Sequence, residues 1–86
     1  MSVRAEPKGD GWECVVVVDH AGQKTEHVVA VSRKDLARWG RGGDVVDLVS
    51  RSFDFLLERE PPSSILRRFD LSVIQRYFPE YDETMQ

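Results

Sequence analysis

Thiol and imidazole groups, which can ligate a metal or act as nucleophiles, are few: one cysteine, Cys14, and two histidines, His20 and His27. Metal sites take three or four such donors, and Cys14 meets His27 only diagonally across the hairpin read below. No metal and no cofactor is expected. Cys14 stands in a run of valines, where a thiol behaves as a small apolar residue with little thiolate character. Carboxylates are more plentiful: Asp44, Asp47, Asp54, Glu58 and Glu60 fall in or beside one helical stretch. A glycosidase-type site needs two carboxylates held across a substrate. Here Arg51 follows Asp47 by four residues and precedes Asp54 by three, the spacing of exposed ion pairs on a solvated helix face. Gly40-Arg41-Gly42-Gly43 precedes a helix and invites a phosphate-cradle reading. It lacks the lysine of a P-loop, follows a helix rather than a strand, and puts Asp44 where the anion would sit. With no catalytic constellation, the chain is read as non-enzymatic.

One basic and aromatic grouping remains, Arg67, Arg68 and Arg76 beside Phe69, Tyr77 and Phe78. Arginines with stacking aromatics can hold nucleic acid, so Arg67, Arg68, Arg76 and Tyr77 are the candidate contacts of an alternative reading, a nucleic-acid-associated regulator. Asp70, Glu80, Asp82 and Glu83 surround them, and the net charge of −3 offers no general attraction to polyanions. Nucleic acid is therefore disfavoured as a partner.

The elements that position these residues belong to one domain, residues 1–86. Apolar residues make up 41% and charged residues 31%, an ordinary globular mixture. A chain this short buries about 60% of its unfolded surface, which makes self-association a natural remedy for limited stability. A lone cysteine fits a reducing compartment, no apolar run approaches the ~18 residues of a membrane helix, and Met1–Glu6 is too polar for a secretory signal. Cytoplasmic placement and no membrane partner are expected.

The periodicities predict an α+β fold: a two- or three-stranded antiparallel meander followed by three or four short helices. The hairpin spans about 11–31, preceded by a possible edge strand over Ser2–Glu6. If its turn centres on Ala21-Gly22, then Trp12, Cys14, Val16 and Val18 share a face with Thr25, His27, Val29 and Val31. Val15, Val17, Val28 and Ala30 lie on the other face. Both faces have apolar centres, so cover on part of each is expected. Val15, Val17 and Val28 are the candidate interface.

The helical part spans about 33–78. Ser32 with Asp35 predicts a capped helix from Arg33 to about Trp39, ended by left-handed glycines among Gly40, Gly42 and Gly43. Asp44 caps a second helix, Val45 to about Glu58. Ser63 or Ser64 opens a brief helical turn through Ile65 and Leu66. A last helix after Asp70 sets Leu71, Ile74, Tyr77 and Phe78 on one face before Pro79. The tail, 82–86, is expected to fray. The predicted core comprises Val16 and Val29 of the hairpin, Leu36, then Val45, Leu48, Val49, Phe53 and Leu56, with Ile65, Leu71, Ile74 and Phe78 closing it.

Ser52-Phe53-Asp54-Phe55-Leu56-Leu57-Glu58-Arg59-Glu60-Pro61, Ser64-Ile65-Leu66, Phe69-Asp70-Leu71-Ser72-Val73-Ile74 and Arg76-Tyr77-Phe78-Pro79-Glu80-Tyr81 resemble a set of short bacterial proteins of no known function. The resemblance covers residues 52–81 and implies a bacterial cytoplasmic setting and an α+β layout. It carries over no catalytic residue. The expectation is a small interaction or regulatory module, self-associating, with a homodimer favoured and a separate protein partner possible.

Overall fold

Two tight turns set the registry of the sheet. Gly9 has a φ of 58°, and Ala21 and Gly22 have φ of 52° and 78°. Left-handed residues in two-residue turns match the right-handed twist of the strands they join. The first turn links β1 (Ser2–Lys8) to β2 (Gly11–His20), and the second links β2 to β3 (Gln23–Val31). Trp12 pairs with Val31, Cys14 with Val29 and Val16 with His27, the pairing expected from a turn at Ala21-Gly22. The edge strand expected over Ser2–Glu6 is present as β1 and pairs antiparallel with β2. Because Lys8 and Gly11 close the first turn, strand alternation places Pro7's missing N–H on the free edge, where no ladder bond is lost.

The computed structural model describes all residues 1–86. It corrects the two- or three-stranded meander: a fourth strand, β4 (Arg68–Asp70), lies parallel to β3, giving the order β1-β2-β3-β4. Three anchors hold it. The Val28 amide donates to the Arg67 carbonyl at 2.8 Å and the Leu71 amide to the Ala30 carbonyl at 2.9 Å. His27 Nδ1 donates to the Leu66 carbonyl at 2.7 Å. The brief helical turn starts earlier than expected, as a 3₁₀ turn at Pro62–Ser64, and the chain is already extended at Ile65.

Helix α1 (Arg33–Trp39) carries the expected capping box: the Asp35 amide donates to Ser32 Oγ, and the Ser32 amide to the Asp35 carboxylate. Its exit differs in detail. Gly40 is right-handed, and the left-handed residues are Arg41 and Gly42. Gly40 serves close packing instead, since a Cβ there would collide with the Leu36 carbonyl oxygen. Asp44 Oδ1 accepts from the Asp47 amide at 2.8 Å and starts α2 (Val45–Leu57), which packs on β1 and β2.

Helix α3 (Val73–Tyr77) buries Ile74, with Leu71 just ahead of it, and leaves Phe78 partly covered. Tyr77 departs from the expected apolar face and is 69% exposed. The tail also departs from expectation. Instead of fraying, it forms α4 (Tyr81–Met85), with Tyr81 and Met85 buried. Asp82 accepts from Trp39 Nε1 at 2.8 Å and pairs with Arg38 at 3.2 Å. Ser52 Oγ donates to the Leu48 carbonyl, which leaves Tyr81 as the donor in the 2.7 Å bond between the two hydroxyls. The Tyr81 ring stands edge-on to Trp39 and Phe55.

The core fills the space between the helices and one face of the sheet. Cys14, Val16, Val18, Val29 and Val31 are buried there with Leu48, Val49 and Phe53. The expected cover on the second face is absent: Val15, Val17 and Val28 remain half-buried and outside the core. No helix is long and apolar enough to cross a membrane.

Candidate functional site

Several of the residues first singled out for chemistry are engaged in structure. Both nitrogens of the buried His27 have partners, Thr25 Oγ1 at 2.8 Å and the Leu66 carbonyl at 2.7 Å. A carbonyl can only accept, so Nδ1 carries a proton, and in the neutral ring Nε2 accepts from Thr25. His20 lies at the exposed end of β2. No three His, Cys, Asp or Glu side chains converge. Cys14 is fully buried, and desolvation pushes its thiol up to about 11. Asp47 pairs with Arg51 at 3.0 Å and Glu58 with Arg59 at 3.4 Å, while Asp44 is committed to its cap.

The arginine and aromatic grouping does not form one platform. Arg68 lies on the outer sheet face and pairs with Glu13 at 3.6 Å. Phe69 is buried, its ring tilted against Phe53 at 6.2 Å, and Phe78 stands edge-on to Phe55. Arg67 and Arg76 are exposed and make no ion pair. Tyr77 borders a groove to which none of the three arginines contributes.

Two surfaces remain. On the outer face of the sheet, registry sets Arg4, Val15, Val28 and Arg68 side by side in one row across the four strands. The adjacent row is Glu6, Glu13, Ala30 and Asp70, and Val17 lies between Ser2 and Glu26 on the other side. A valine patch is thus framed by both signs of charge. Lys8 at 3.0 Å and Arg68 hold the Glu13 carboxyl below its ordinary range, with the Lys8 hydrogen bond the larger influence.

The second surface is a groove of about 420 Å³ where the end of α2 meets β4 and α3. Leu56, Ile65, Phe69 and Ile74 form its apolar bed, and Leu66 and Tyr77 border it in the open. Glu60 is its one charged residue, and burial raises this carboxyl above its ordinary value. Sequence periodicity could not find this site: its walls come from elements whose meeting depends on β4, and Leu66 carries no local sign of exposure. The chain matches no family model, no curated protein and no solved structure.

Proposed function

We propose that the protein is a small non-enzymatic interaction module that self-associates through the outer face of its sheet, in a bacterial cytoplasmic setting. The observation that carries this reading is the uncovered valine patch formed by Val15, Val17 and Val28. Every helix packs on the opposite face, so in the isolated chain these side chains stay half in water. Burying them against a second copy removes apolar surface at about 25 cal/mol per Å². The frame favours a copy of the same chain. A two-fold contact sets one patch on itself, which repels when the frame has one sign and can match when Arg4 and Arg68 alternate with Glu6, Glu13 and Asp70.

The test is solution mass by light scattering across a hundredfold range of protein concentration, on the wild type and Val17→Asp. A concentration-dependent dimer that the substitution abolishes without unfolding supports the reading. A monomer throughout the range, or a dimer indifferent to Val17→Asp, removes it.

A further inference from the structure

Four large apolar side chains are openly exposed, namely Met1, Val46, Leu66 and Tyr77, and two of them border the same groove. The groove's volume of about 420 Å³ lies within the ~300–1,000 Å³ of ordinary binding clefts. Its bed is apolar, and its single charge is distinctive. Glu58 and Glu80 on either side in sequence are both held by Arg59, at 3.4 Å each. Glu60 has no cation and no side-chain hydrogen bond. A carboxylate facing an apolar groove without a partner is complementary to a cation carried by whatever fills that groove.

We propose that this groove receives a short segment of a partner protein carrying an apolar side chain for the bed and a neighbouring lysine or arginine for Glu60. A protein segment fits better than a small amine for two reasons. Leu66 and Tyr77 extend the apolar contact beyond the cleft itself, and tyrosine is enriched among residues that dominate protein interfaces. The strand in the groove wall also offers main-chain groups. The parallel ladder uses Arg67 and Leu71, so by alternation the amides and carbonyls of Arg68 and Asp70 face away from β3 at the sheet edge, where a peptide backbone can pair with them. This site is independent of self-association through the outer face.

The test selects binders from a displayed random-peptide library on the whole chain, then measures each selected peptide by fluorescence anisotropy. The expected peptides share an aromatic or aliphatic residue beside a lysine or arginine. Leu66→Ser and Tyr77→Ala, both at exposed positions, each weaken binding roughly tenfold. Glu60→Gln removes the preference for the basic residue over glutamine at the same peptide position, and Glu83→Gln, outside the lining, changes nothing. Thermal melts of each variant separate lost binding from lost fold. The proposal is overturned if no peptide is enriched, if enriched peptides lack a basic residue, or if Glu60→Gln keeps the full preference. It is equally overturned if hexylamine saturates the groove at the concentrations that the peptides require.

Discussion

Val16 and Val17 are neighbours of one type in one strand, yet Val16 is sealed in the core and Val17 stands on an open surface. The same division runs through β3, where Val29 is buried and Val28 is half-exposed. Strand alternation separates the two sets, but only the helices decide which set becomes core. Val15, Val17 and Val28 are as hydrophobic as their buried counterparts, and their different position has to be read from tertiary structure.

The sharpest way to break this comparison is to place the same charge on each side. Val16→Asp puts a carboxylate where no partner is available, and the expected outcome is loss of the fold, a cost of about 4 kcal/mol or more. Val17→Asp should leave monomer stability within about 1 kcal/mol and remove self-association. Urea melts and light scattering on the pair check both halves. Equal destabilisation would mean that the outer face is covered in solution by something that both variants disrupt.

Alkaline pH probes the inner side alone. Below pH 9 Cys14 and Tyr81 are protonated in the folded and unfolded chain alike. As pH passes their ordinary values of 9.0 and 10.0, the unfolded chain ionises while the folded chain holds its protons up to about 11 and about 12. The unfolded state then binds fewer protons, so stability falls as pH rises across this window, by about 1.4 kcal/mol per pH unit for each group while its two states differ. Cys14→Ala should flatten the part of the curve that begins at pH 9, and Tyr81→Phe the part that begins at pH 10, as followed by urea midpoints against pH.

His27 joins the inner face to the groove. Replacing it by leucine keeps an apolar side chain against Phe53, 5.3 Å away in the wild type, and removes the donor to the Leu66 carbonyl. The expected cost is about 1–3 kcal/mol, and amide exchange should rise first at Leu71 and Val28, whose hydrogen bonds hold β4. Uniform exchange across the chain would show that β4 does not open separately.

The sequence made visible what local rules govern. Ser32 with Asp35, Asp44 at the head of α2, and the pairing about Ala21-Gly22 all arise from interactions within a few residues. What stayed hidden depends on distant partners. Arg68-Phe69-Asp70 is too short and too polar at its ends to read as a strand, and it becomes one because β3 offers an edge and His27 a tether. The acidic tail looked frayed because its stabilising partners, Trp39 and Ser52, lie 43 and 29 residues away in the bonds to Asp82 and Tyr81. The groove was hidden for the same reason, since β4 and the end of α2 meet only in three dimensions.

The smallest expected effect tests what sets the two faces apart in the first place. Ala21 occupies a left-handed position, with φ 52°, in the turn that fixes which valines point inward. Alanine's Cβ is disfavoured there, whereas asparagine ahead of glycine is the preferred pair in turns with both central residues left-handed. Ala21→Asn should therefore raise stability by about 0.5–1 kcal/mol, read as a higher urea midpoint. Because the substitution touches neither face, the oligomeric state read by light scattering should be the same as that of the wild type at equal monomer stability. A shift in oligomeric state would instead mean that the registry slips in the wild type and that the division between Val16 and Val17 is not held by this turn.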